Sequence, residues 1–220
     1  MAATPPAMPP KLPDGFMPSS DDDVPSLDDV PTALTLVHGV GMLAAFALLF
    51  PLGAAMPTWK GYAPTRWFRL HLALQLGAAF ITAAALAAII YATPAGTHFD
   101  PRVSIHKLMG LLLGLAILLQ IFLGFVRPHK PKEVGETPSA RRRRQVWERL
   151  HRGLGALILV GALPQITTGI ASPCTWQSWR GPMYVGLAAG LGLAAAVAVA
   201  GVLQSRSTAH GGRKVLSNVC

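Results

Sequence analysis

The sequence predicts an all-α membrane protein of five transmembrane helices, and three observations carry that prediction. Of 220 residues, 51% are hydrophobic and only 13% are charged, with mean hydropathy +0.42, which is not the balance of a soluble globule. Five stretches contain no Asp, Glu, Lys or Arg: Thr32 to Trp59, Leu70 to Phe99, Leu108 to Val126, Gly153 to Trp179 and Gly181 to Ser205, each of 19 residues or more. At about 1.5 Å per residue, about 20 helical residues cross a hydrocarbon layer roughly 30 Å thick, so every stretch is long enough to span. The third observation is a histidine about one turn inside the start of each of the first four predicted helices. A transmembrane β-barrel would show alternation of apolar and polar residues instead.

Taken in order, residues 1–31 are rich in Pro and Ser, carry Asp21, Asp22, Asp23, Asp28 and Asp29, and have no aliphatic cluster to form a core. This arm is expected to be disordered, and it lacks the apolar stretch of a cleavable signal peptide, so the first helix is expected to act as the insertion signal. Residues 32–203 form the membrane domain, with helix cores at Ala33 to Met56, Trp67 to Tyr91, Ser104 to Val126, Trp147 to Ile170 and Pro182 to Leu203. Unpaired backbone groups are too costly in lipid for any other element, and Pro57, Pro64, Pro94, Pro101, Pro128 and Pro173 accordingly fall in the connections. Pro51 and Pro164 lie inside helices and should bend them near one end. The fifth helix has no histidine and carries Gly186-x3-Gly190, a pattern for close packing on the bundle or on another subunit. Residues 204–220 read as a basic tail.

Charge orients the chain. The 19 Lys and Arg against 10 Asp and Glu give a net charge of +9. Interspersed between apolar runs, these charges do not form the stripe of a nucleic-acid binder, and membrane lipid is the expected partner. Fifteen of the basic residues fall after helices one and three, at their helix junctions and in the C-terminal tail; only Lys11, Arg102, Lys107 and Arg180 lie on the opposite side. The positive-inside rule therefore puts the N-terminus outside and the C-terminus in the cytoplasm. Arg141 to Arg144, read as part of an inner loop, are expected to contact anionic headgroups.

An ionisable group inside a span is expensive, and His38, His71, His106 and His151 repeat at matching depth in helices one to four. One such histidine is readily an interhelical hydrogen bond; four call for chemistry. Alternating helix direction places His38 and His106 at the outer level and His71 and His151 at the inner level. Two facing imidazoles in a four-helix bundle can hold haem between them, which predicts two non-covalent b-type haems, ligated by His38/His106 and His71/His151, with irons about 20 Å apart. No C-x-x-C-H attachment motif is present. Gly110 and Gly114 follow His106, and Gly155 follows His151, on the histidine face, either as room for a macrocycle or as helix-packing notches. Gln120 and Gln165 each lie fourteen residues after a histidine, at the depth of the opposite pair, and Gln75 lies one turn beyond His71. Each is read either as a hydrogen-bonding neighbour of the ligands or as an amide joining helices. Arg66, Arg69 and Arg152 crowd the inner pair, and Arg102 and Lys107 flank the outer one. His98, His129 and His210 are excluded as ligands, and Cys174 and Cys220, on opposite sides, should not pair.

The motifs around these histidines resemble the cytochrome b561 domain, particularly the kind found with an extracellular DOMON haem domain in fungi and plants. They are His-Gly-Val-Gly-Met at 38–42, Phe-Pro-Leu-Gly at 50–53, Leu-His-x3-Gln at 70–75, Ile-His-Lys-Leu-Met-Gly at 105–110 and Leu-His-Arg-Gly-Leu-Gly at 150–155. The resemblance covers about residues 32–203 and implies electron transfer across the membrane through two b haems, with the same histidine pairing. Neither the Arg-containing ascorbate motif nor a DOMON domain is found in the sequence. The expected function is electron transfer from a cytoplasmic small-molecule reductant to an extracytoplasmic acceptor, with ferric iron a candidate, in the plasma membrane or an endomembrane. A homodimer or a separate DOMON-type haem protein is the partner this leaves open. The competing readings are a cofactor-free helical scaffold and a haem-binding protein without transmembrane turnover.

Overall fold

The computed structural model describes residues 29–93, 105–128, 137–171 and 177–217. All regular structure among them is helical, and five helices are long and apolar enough to cross a membrane: Ala33–Trp59, Trp67–Ala92, Ile105–Phe125, Pro138–Ile170 and Ser178–Ser207. The first span is composite. Helix α1 (Asp29–Leu43) passes into a π-helical segment, Ala44–Leu49, then α2 (Phe50–Ala55) and a 3-10 turn, Met56–Trp59. The remaining helices are α3 (Trp67–Ala92), α4 (Ile105–Phe125), α5 (Pro138–Ile170) and α6 (Gln177–Ser217).

Pro51 accounts for the π-helical segment. Having no N–H, it cannot pair with the Ala47 carbonyl four residues back, and the wider register shifts the bonds, so that Phe50 N–H donates to Ala45 O. The loosened Ala47 carbonyl is one point where α6 comes close: a methyl built on Gly190 would lie 2.6 Å from that oxygen. A methyl built on Gly186 would lie 3.1 Å from a Leu43 side-chain methyl, so the Gly186-x3-Gly190 face packs on the first span of the same chain. Trp59 Nε1 donating to Val197 O (3.1 Å) and Ser205 Oγ donating to Thr58 O (2.8 Å) fasten the other end of that contact.

Helices four and five differ in extent from the hydropathy reading. Helix four begins at Pro138 rather than Trp147, so Arg141 to Arg144 are helical and not loop. Thr137 caps it, its Oγ1 accepting from Ala140 N–H at 3.3 Å, with Pro138 in the first turn. Helix five begins at Gln177 rather than Pro182 and runs through much of the basic tail to Ser217. Hydropathy marks where lipid begins, whereas arginine is a good helix former and carries the helix on into water.

The core is small and tightly interleaved. Ala45, Ala47 and Ala78 bring the first span and α3 together, Phe46 and Phe50 pack at a 50° tilt with ring centres 5.0 Å apart, and Ile117, Ile158, Ala162 and Ile166 join α4 to α5. No polar or charged residue among the described residues is buried, while Phe80 and Phe125 are 75% and 79% exposed. That inverted arrangement suits a molecule whose solvent is hydrocarbon, and the chain is an integral membrane protein. The 1–28 arm, His98, His129, Cys174 and Cys220 lie outside the described residues.

Candidate functional site

The four span histidines meet in two pairs. The rings of His38 and His106 have their centres 6.5 Å apart at 82°, and those of His71 and His151 lie 6.4 Å apart at 65°. A metal bridging two imidazoles at about 2 Å from each nitrogen, with each nitrogen about 1.2 Å from its ring centre, gives a centre separation of about 6.4 Å. The spacing in both pairs thus fits a shared metal.

Each ring is oriented by its neighbours. His38 Nδ1 is 3.0 Å from Ala85 O and His71 Nδ1 is 2.8 Å from Gly53 O, so each Nδ1 donates to a carbonyl of the antiparallel helix. That leaves Nε2 unprotonated, the tautomer a metal requires. On α4, His106 Nδ1 lies 3.2 Å from Thr168 Oγ1, which itself donates to Gln165 O and so accepts from the ring. His151 differs: its Nδ1 is buried without a hydrogen bond, and its Nε2 lies 3.4 Å from Gln120 Nε2. Trp147 stacks on it, with ring centres 5.1 Å apart and planes 14° apart.

The glutamines act crosswise between α4 and α5. Gln165 Nε2 donates to His106 O (2.8 Å) and Gln120 Nε2 donates to His151 O (2.9 Å). Gln165 lies over Gly110 and Gln120 over Gly155, where an added methyl would meet the amide nitrogen at 3.0 Å in each case. One pattern, His-x3-Gly-x9-Gln, therefore occurs on both helices, and antiparallel packing makes each copy serve the other. Both glycines are occupied as notches for glutamine, whereas Gly114, on the His106 stripe, has open space beside it. Gln75 Nε2 donates to Phe50 O at 3.2 Å and so joins α3 to the first span.

Sequence reasoning missed several contributors. Gly169 is one: a methyl there would lie 2.8 Å from His106 Cε1, so the ring rests on bare backbone. Its signal was available, since eighteen residues after His151 is five full helical turns, returning to the histidine face. Trp147, one turn before His151, was legible in the same way. The charges near the inner pair are also richer than expected. Arg127 sits over Phe68 (4.8 Å) and Trp147 (5.9 Å), Arg144 over Trp147 (5.6 Å), and Lys60 over Trp67 (4.8 Å). Partial burial and then the nearby charge of Arg152 hold Lys60 below the usual lysine range, with Arg127 and Arg144 adding to the effect and Glu148 opposing it.

A helical membrane protein organised around paired imidazoles at two levels is the class that this fold and site define. The eukaryotic cytochrome b561 family model matches residues 35–177, and the chain belongs to that family, whose members are haem-binding membrane proteins of electron transport. Among curated proteins it is similar to two cytochrome b561 and DOMON domain-containing proteins of Arabidopsis thaliana. One is 26% identical over 133 residues, covering 60% of this chain and 30% of the relative; the other is 29% identical over 158 residues, covering 70% and 36%. The chain thus spans about a third of the length of these relatives. No solved structure matches it.

Proposed function

We propose that the chain is a di-haem b-type cytochrome that carries electrons across the membrane, one haem held by His38 and His106 and the other by His71 and His151. The observation that carries this reading is the pair of ring separations, 6.5 and 6.4 Å, repeated at two depths with no lone histidine left over among the four. His106 and Gln120, which reaches His151, are fourteen residues apart on one helix, which puts the two levels about 21 Å apart. Haem supplies reversible one-electron chemistry at each level. The protein's residues hold its ligands: Ala85 O and Gly53 O fix two tautomers, Thr168 a third, and Gln120 and Gln165 hold the helices that bear His151 and His106. Ligation of each iron by two imidazoles would leave it no open position and would favour outer-sphere transfer.

By the positive-inside rule the His71/His151 level is cytoplasmic, with Lys60, Arg127 and Arg152 to attract an anionic reductant. Each turnover takes one electron from that reductant and delivers one to an external acceptor, for which ferric iron is the candidate. The relatives' names join this domain to a DOMON domain, and a DOMON-bearing partner is a second candidate acceptor.

The test is haem stoichiometry and spectrum of the purified chain, with transfer measured in vesicles holding a trapped reductant and an external ferric chelate. Two reducible b-type haems per chain are expected, and His71→Ala should lose one and keep most of the other. A colourless preparation after haem-replete expression would favour the scaffold reading; bound haem without transmembrane reduction would favour simple haem binding.

A further inference from the structure

A groove on the lipid-facing side of α5 has no part in the haem reading. It is made of two clefts that share Leu150. The upper, of about 410 Å³, is lined by Arg142, Arg143, Val146, Trp147 and Leu150; the lower, of about 500 Å³, by Leu119, Leu123, Arg149, Leu150, Gly153 and Leu157. Residues 142, 146, 150, 153 and 157 follow one helical face, so the groove runs along α5 with α4 as its lower wall. Trp147 marks the depth at which aromatic side chains meet headgroups, and from there to Leu157 is about 15 Å, the thickness of one leaflet's hydrocarbon.

The charges sort along this path. Arg144 is taken up by Glu148 at 3.0 Å and by Pro128 O at 2.9 Å. Arg142, Arg143 and Arg149 are exposed and form no ion pair among the described residues, although they crowd one rim. Below them the walls are wholly apolar, and Gly153 has no atom within 4 Å of where a side chain would begin. A cationic rim above an apolar slot one leaflet deep matches one chemistry: an acidic phosphate joined to an acyl chain.

We propose that this groove is a binding site for an anionic phospholipid of the leaflet on the arginine-rich face, with the phosphodiester at Arg142 and Arg143, Arg149 reaching it from below, and one acyl chain along Leu150, Gly153 and Leu157. The guanidinium fork matches phosphate oxygens, and the long stem of Arg149 lets its charge rise to the headgroup while its carbons line the slot. The site does not depend on the proposed haem ligation. It does border Trp147, which stacks on His151.

Native mass spectrometry of the full chain in mild detergent tests the proposal, titrating dioleoylphosphatidylglycerol, dioleoylphosphatidylcholine or glycerol 3-phosphate. One phosphatidylglycerol should bind in preference to phosphatidylcholine, and the headgroup alone should not compete. At about fivefold per arginine, Arg142→Gln with Arg143→Gln should weaken phosphatidylglycerol about 25-fold, while Arg206→Gln, outside the groove, leaves it unchanged. Gly153→Leu, which fills the slot but keeps every charge, should weaken both lipids. Far-UV circular dichroism and gel filtration ensure that only folded variants are compared. Equal binding of the two lipids, a preference that survives the double arginine variant, full binding by Gly153→Leu, or competition by glycerol 3-phosphate would each overturn the assignment.

Discussion

Gly169 shows how little tolerance the outer histidine pair has. The His106 ring lies against its backbone, and Gly169→Ala would place a methyl 2.8 Å from Cε1, well inside van der Waals contact. Relieving that clash should cost about 1–3 kcal/mol and turn the ring away from His38. The expected outcome is loss or a marked potential shift of one of two haem centres in a redox titration, with the other unchanged. Gln165→Leu is the contrasting case. It removes one hydrogen bond to His106 O and also the amide oxygen that is buried without a partner, so stability should fall by only about 0.5–1.5 kcal/mol, read by thermal unfolding, with haem content kept. The four histidines and the two crosswise glutamines were legible in the sequence because polar groups are costly in lipid and recur at helical spacing. Ala85 and Gly53 were not, because they act through carbonyls, which every residue possesses; only their small size, letting a ring approach the backbone, sets them apart.

At the scale of elements, α6 and the first span hold one another through bare backbone. Gly190 faces the Ala47 carbonyl, and Gly201 lies against Thr58 and Trp59. Without a hydrophobic effect between helices in lipid, close van der Waals approach is the main cohesive term, and a large residue removes it. Gly190→Leu should therefore lower the thermal stability of the purified protein by several degrees while both haem centres persist, since the histidines sit on α1, α3, α4 and α5 and not on α6. Loss of both centres together with α6 would instead make the fifth span part of the cofactor core. All five spans were legible as apolar runs, and Gly186-x3-Gly190 as a packing face. The extension of α5 to Pro138 and of α6 to Ser217 was not, because hydropathy registers the surrounding solvent and is blind to a helix that continues through arginines. The π-helical segment was only half visible: Pro51 announced a disturbed helix, but the register that absorbs it is chosen by packing.

The asymmetry of the whole molecule is electrostatic. Lys60, Arg127, Arg144 and Arg152 gather at one end, and Lys60, held below the usual lysine range by partial burial and by Arg152, should lose its proton at lower pH than a free lysine. Deprotonation removes a positive charge from the approach to the inner pair, so the rate of reduction by an anionic reductant should fall as pH rises through that point, and Lys60→Met should abolish that limb of the profile. By the positive-inside rule, loop charge also predicts which end faces the cytoplasm, and the two cysteines make this directly measurable. Cys174 lies between the fourth and fifth spans and Cys220 beyond the fifth, so a five-span chain must put them on opposite sides whichever way it inserts. In sealed cells a membrane-impermeant maleimide should label one cysteine, and with fifteen basic residues holding the other side inward that cysteine should be Cys174. Cys174→Ser should then abolish the label, and permeabilisation should restore it through Cys220. Labelling of Cys220 alone in intact cells would keep the five spans but invert the electron path, while labelling of both would mean that the number of spans between them is even.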